Sequence, residues 1–193
     1  HAKSSTPIRM IRIRKHSTTA PQDTVRTEGW KVHGAEAVAN TSATAYFFAQ
    51  YLQSVIDIPV GIIESDWGGS SIETWMDEKT IRGQFDGEFN LGYLEDNNVK
   101  PNRAHQEPCL LYNGMVHALV PYTFKGMIWY QGETNRGRPD QYVRLQTAYV
   151  RMMRELFQVP DAPFYFVQIA PFPYGKPEDW TSGYFYEAQQ KTL

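Results

Sequence analysis

Apolar and polar positions along the chain switch between two periods. IRMIRI (Ile8 to Ile13) alternates apolar and basic residues with period two and predicts a strand. Ser17 to Thr27, containing Thr, Pro and Asp, reads as a loop. From Ser42 to Ile56, Ala45, Phe48, Leu52 and Val55 recur at helical spacing, and Asp57 and Pro59 end that helix. VGII (Val60 to Ile63) and MIWY (Met127 to Tyr130) are short apolar runs typical of buried parallel strands. Leu110 to Val120 reads as helical up to Pro121, and residues Gly83 to Glu107 show no clear period. Asp140 is a candidate cap for a helix whose Tyr142, Leu145, Tyr149, Met152 and Leu156 share a face. FYFVQI (Phe164 to Ile169) predicts a strand, and Tyr184 to Thr192 the start of a last helix. Strands alternating with helix-length crossovers predict an α/β fold, a parallel sheet covered on both faces. Without repeats, low-complexity tracts or a linker, residues 1–193 read as one domain.

Composition narrows the classes. At 193 residues, folding would bury roughly 70% of the surface of the unfolded chain. Hydrophobic residues at 41% and charged residues at 21% are ordinary for a globular domain. A net charge of -2 lacks the basic footprint that nucleic-acid binding requires. The basic residues between His1 and Lys15 read as one wet face of a strand. A single cysteine, Cys109, excludes an intrachain disulfide. No apolar run approaches the ~18 residues that span a bilayer, so membrane insertion is not expected. The chain opens on His1 with no signal-peptide pattern, which suggests a removed leader or a piece of a longer protein.

In such sheets ligands bind beyond the carboxyl ends of the strands. Two polar motifs fall there: ESDWGGSSIETWM (Glu64 to Met76) after VGII, and QGETN (Gln131 to Asn135) after MIWY. A Gly68-Gly69 turn lets backbone N–H groups approach a substrate closely, and Ser70 or Ser71 is placed to cap a new helix. Gln131 offers amide donors from a strand end. Together they fit an oxyanion hole, whose donors must be fixed where negative charge develops. Taken alone, a structural turn is the commoner account of two glycines after a strand.

No G-x-S-x-G elbow and no metal-ligand spacing of the H-E-x-x-H type occurs. His117 reads as a packing or supporting hydrogen-bonding residue in a helix, His33 and His105 read as solvated loop residues, and His1 and His16 flank the first strand with no partner in view. Asp66 and Glu133, each following a strand, allow a glycoside hydrolase reading, although ordinary loop carboxylates are commoner. Trp30, Trp67, Trp75, Trp129 and Trp180 allow a carbohydrate-binding module without catalysis, although core anchors or cleft walls are the commoner account.

PVGIIESDWGGSSIETWM and LYNGMVHALVPYTFKGMIWYQGETN (Leu111 to Asn135) resemble the two signatures of the sialate O-acetylesterase family. EGWKV, TSATAYFFAQYL, VQIAPFPYG and EAQQKTL fit it too, so the resemblance covers nearly the whole chain. It implies a three-layer, flavodoxin-like SGNH hydrolase fold that removes O-acetyl groups from sialic acid, xylan or related glycans. The chemistry would be that of a Ser-His-Asp triad, without metal or cofactor, in a secreted or periplasmic protein. Carried onto this sequence, the oxyanion donors would be Gly69 (or Gly68) and Gln131. Glu133 and Asn135 would orient Gln131, while Trp67, Ser70 and Asn113 would line the site or support it.

The GQSNM and DxxH blocks that carry the triad in this family do not occur in the sequence. The expectation is therefore an internal portion of the fold, inactive by itself. Loss of the central strand would leave a gap between IRMIRI and VGII and an incomplete sheet with exposed edges.

Overall fold

The computed structural model describes residues 7–32, 34, 38–96, 98–172 and 181–192. Expectations placed on His1, His33, Pro173 to Gly175, Trp180 and Leu193 lie outside them. The chain divides into two compact units, one of His1–Lys15 with Val25–Asp66, the other of His16–Thr24 with Trp67–Leu193.

In the first unit, β1 (Ile8–Arg12) turns Ile8 and Met10 inward and leaves Arg9 exposed, as its alternation requires. It pairs antiparallel with β2 (Lys31–Val32) and parallel with β3 (Val60–Glu64), in the order β2-β1-β3. The register runs from Ile8 opposite Val60 to Arg12 opposite Glu64. The expected gap between IRMIRI and VGII is thus corrected: the two strands are direct neighbours. The crossover holds α1 (Ala43–Ile56), long enough to return the chain parallel to β1. The sheet is mixed rather than wholly parallel, because the short β2 runs against β1.

Helix α1 is capped by Ser42, whose hydroxyl accepts the Ala45 N–H, and ends at Asp57 with φ 49°. Its inward face is rotated from the predicted one. Ala49 joins Ile8 and Met10 in the core, with Tyr46, Val60 and Ile62 against them, whereas Phe48 and Val55 are exposed. The small side chain of Ala49 lets the helix lie close to the strands, and the bulkier Phe48 does not fit that position.

In the second unit, β4 (Met127–Trp129) pairs parallel with β5 (Phe164–Phe166), Ile128 opposite Tyr165. Between the signatures stand α2 (Glu78–Gln84) and the single turn α3 (Gly92–Glu95), within the stretch that showed no period. The chain then crosses through α4 (Pro139–Leu156), which buries Tyr142, Leu145, Tyr149 and Met152 as their spacing predicts. Asp140 lies inside the first turn instead of capping it, since Arg138 holds the cap and Pro139 supplies a φ already suited to helix. Helix α5 (Thr181–Gln190) packs on α4 through Phe185 and Tyr142, ring centroids 4.5 Å apart.

Two local predictions give way to irregular turns. Ser70 and Ser71 cap no helix: a 3-10 turn, Glu73–Trp75, follows Ile72 without a side-chain cap. Leu110 to Val120 winds as a wide π turn, Tyr112–Val116, and then a tight 3-10 turn, His117–Leu119. At the π turn Gly114 meets the backbone carbonyl of His16, leaving no room for a side chain.

Candidate active site

From Trp67 onward, the first signature meets the second inside the second unit. The chain leaves the first signature's strand through Trp67, Gly68 and Gly69, and a Ser70 N–H to Trp67 carbonyl bond of 3.2 Å closes the turn. Gly69 has φ +76°, a left-handed conformation that side-chain-bearing residues adopt only at a cost. Its carbonyl accepts from Gln106 Nε2 and from Thr134 Oγ1, each at 2.9 Å. The opposite side of that residue, its N–H, is on an exposed turn and donates to no described residue. Beside it, the Trp67 and His105 rings stack at 5.9 Å and 5°. His105, expected to be merely solvated, therefore walls the glycine turn.

Gln131 follows β4 and is buried. Its Nε2 donates to the Ser70 carbonyl at 3.0 Å and to Asn135 Oδ1 at 2.7 Å, while its Oε1 is buried without a donor among the described residues. Its backbone carbonyl accepts from Tyr142 Oη at 3.1 Å and Gln189 Nε2 at 3.4 Å. Gly132 behind it packs so tightly that an added Cβ would approach Phe185 and Ile169 to 2.6 and 2.7 Å. The amide thus reaches the residue next to Gly69, with both N–H groups engaged inside the protein. Of the two expected donors, only the Gly69 N–H is without an acceptor among the described residues. A ligand oxygen would have to displace or share the Ser70 carbonyl to reach the Gln131 amide.

The remaining candidates separate. Asn135 touches Gln131 and is wholly buried, as an orienting residue must be. Glu133 does not: its side chain is exposed and reaches no partner at Gln131. Asn113 makes its bonds elsewhere. It is buried, and its Nδ2 donates to the carbonyls of Thr18 at 3.3 Å and Thr19 at 3.0 Å, fastening the His16–Thr24 segment. Ser70 is likewise internal, its Oγ accepting the Trp75 indole N–H at 2.9 Å.

Sequence reasoning missed Glu73, Thr134, Gln106 and Arg138. A signal existed for Glu73, a lone carboxylate between the buried Ile72 and the buried Trp75 and Met76. Carboxylates rarely enter such surroundings unless paired. Thr134, inside the second signature, carried no comparable mark.

Among the described residues, the rival carboxylates have ordinary partners or none. Asp66 is gripped by Arg12 through three contacts of 2.9 to 3.1 Å in the first unit. Near it, burial pushes the Glu64 carboxyl above the usual carboxylate range, against the Ser42 N–H and Arg12. Trp75 and Trp129 pack edge to face in the second unit, and Trp30 lies against Gly61 in the first. His117 meets Tyr112 edge-on, with its Nδ1 buried and without a partner among the described residues. Among the described residues no three His, Cys, Asp or Glu side chains gather as a metal site, and no helix is long and apolar enough to cross a membrane.

Comparison with known proteins places this arrangement. The model of the family described as "carbohydrate esterase, sialic acid-specific acetylesterase" matches residues 3–192. The chain belongs to this family. Among relatives, human sialate O-acetylesterase is 34% identical over 94 residues, 49% of this chain and 17% of the human protein. The mouse sialate O-acetylesterase is 27% identical over 172 residues, 71% of this chain and 32% of its own length. The crystal structure of a carbohydrate acetylesterase from Xanthomonas citri superposes with a TM-score of 0.82 at 33% identity, covering 96% of this chain and 40% of that one. The chain therefore has the α/β, SGNH-type fold of a carbohydrate esterase, and it spans about a sixth to a third of the length of these curated relatives.

Proposed function

We propose that the protein to which this chain belongs is a carbohydrate O-acetylesterase, and that these residues supply its oxyanion site. The observation that carries the reading is the Gly69 turn. Its carbonyl is clasped by Gln106 and Thr134, its N–H donates to no described residue, and the Gln131 amide lies one residue away at Ser70.

In this reading a serine attacks the acetyl carbonyl, and a His-Asp pair moves its proton to the leaving sugar oxygen. The resemblance assigns those three groups to motifs absent from this sequence. As the carbonyl oxygen becomes an alkoxide, the Gly69 N–H donates to it. The Gln131 N–H now bonded to the Ser70 carbonyl turns to the stronger, charged acceptor, while the 2.7 Å bond to Asn135 keeps the amide anchored. Water then hydrolyses the acetyl-enzyme. Trp67 and His105 flank the turn on the side where the sugar would lie.

The test uses the full-length protein. Gln131→Ala should lower kcat for acetyl-ester hydrolysis by about a hundredfold or more, the loss typical of one oxyanion donor. Turnover unchanged within about twofold would remove Gln131 from the mechanism.

A further inference from the structure

Behind the proposed oxyanion site runs a chain of hydrogen bonds anchored at its far end by a charged pair. Arg138 Nη2 donates to Glu73 Oε1 at 2.6 Å. Glu73 Oε2 accepts from Asn135 Nδ2 at 2.8 Å. Asn135 Oδ1 in turn accepts from the Ile72 N–H at 3.0 Å and from Gln131 Nε2 at 2.7 Å. The Glu73 side chain is 4% exposed, Asn135 is wholly buried, and the Arg138 side chain is 40% exposed.

A guanidinium can only donate and an ionised carboxylate can only accept, whereas a carboxamide can present either end. Glu73 at one end of the amide and the donor-only Ile72 N–H at the other leave Asn135 one choice, nitrogen toward the carboxylate and oxygen toward Gln131. Asn135 leaves Gln131 one choice as well. With the amide reversed, Gln131 Oε1 would face both Asn135 Oδ1 and the Ser70 carbonyl, two contacts between acceptors. Burial of the Glu73–Arg138 pair is a weak source of stability, because desolvating the charges offsets their attraction. What the pair supplies is direction.

We infer that Glu73, held by Arg138 and acting through Asn135, is a positioning residue that fixes which end of the Gln131 amide faces the glycine turn. Its consequence for turnover rests on the oxyanion reading above, whereas the orientation itself does not. Glu73 touches neither the Gly69 N–H nor any atom of the proposed reaction, so its effect must pass through Gln131.

The experiment is a double-mutant cycle in the full-length protein with 4-nitrophenyl acetate, joined to a spectroscopic readout. Glu73→Gln keeps the shape but gives the relay a third reversible amide. It should lower kcat by about tenfold with KM within about twofold, and in a Gln131→Ala background it should cost less than about twofold further. In protein labelled with 15N-glutamine, the Gln131 side-chain signals, assigned by their loss in Gln131→Ala, should move in Glu73→Gln. Equal fold-losses in both backgrounds, or unmoved Gln131 signals, would overturn the inference. If Gln131→Ala itself leaves turnover intact while those signals move in Glu73→Gln, the oxyanion reading falls and the positioning role stands. Should Glu73→Gln fail to fold, Arg138→Gln at its partly exposed position takes the same two readouts, with about a threefold loss of kcat expected and the same results counting against it.

Discussion

Thr134 donates its hydroxyl to the carbonyl oxygen of Gly69 at 2.9 Å, tying the second signature motif to the first. Thr134→Val keeps the shape of the side chain and removes that donor, leaving Gln106 alone on the carbonyl. In the full-length protein, kcat for an acetyl ester should fall by roughly three- to tenfold with KM nearly constant, the equivalent of one neutral hydrogen bond of about 1 kcal/mol. Steady-state kinetics on the purified variant would check it. A change confined to KM would mean that the bond serves ground-state binding instead.

Asn113→Ala should act on stability and not on substrate. Its two N–H groups hold the carbonyls of Thr18 and Thr19, so truncation leaves half-buried acceptors without this donor, at a cost of about 1 kcal/mol. Urea unfolding should show a lower midpoint, and KM should stay unchanged. A raised KM with an unchanged midpoint would restore Asn113 to the sugar site.

Gly132→Ala should be worse than its size suggests. The new methyl would press on the Phe185 ring and on Ile169, which is 1% exposed, and forced overpacking of this kind costs about 1–3 kcal/mol. Thermal unfolding should register the loss. The double variant with Phe185→Leu, which vacates space at the same point, should recover part of it.

The Glu88 carboxylate receives two bonds of 2.7 Å from Arg144 and one of 2.9 Å from Gln141. These bonds hold its pKa down at about 2, below the ordinary carboxylate value. The folded state binds this proton less readily than the unfolded one, so the contribution is complete above the unfolded pKa and fades as pH falls toward 2. The pair lies at the surface and its effect is small. Unfolding midpoints of the native protein and of Glu88→Gln should differ at pH 6 and converge on acidification. Adding salt at pH 6 should narrow the same gap.

Residues that write their environment into a local period were legible from the sequence. The IRMIRI alternation produced β1, and the spacing of Tyr142, Leu145, Tyr149 and Met152 produced the buried face of α4. Helix α1 had its length read correctly and its face misread, because which stripe turns inward depends on the strands it meets, and those accept Ala49 more closely than Phe48. The π turn at Tyr112–Val116 was illegible for a related reason: the approach of the His16 carbonyl to Gly114 joins positions far apart in the chain. At the site, Gly69, Gln131 and Asn135 stood out through resemblance, and the structure brings the latter two into contact. Glu133 follows Gln131 closely in the chain yet points to solvent, and Asn113 in the π turn holds the carbonyls of Thr18 and Thr19, orientations that no local pattern records. Glu73 and Asn135 lie 62 positions apart in the chain, and no local pattern announces such a partnership.

With two donors on one oxygen, the peptide plane that follows Gly69 has little freedom to crankshaft. The entropy of ordering that loop is spent when the chain folds, not at each encounter with a ligand. An acyl oxygen arriving there would find its hydrogen-bonding geometry already in place. Substitutions that loosen Thr134 or Gln106 should therefore broaden the turn's motion in the empty protein, before any ester is bound.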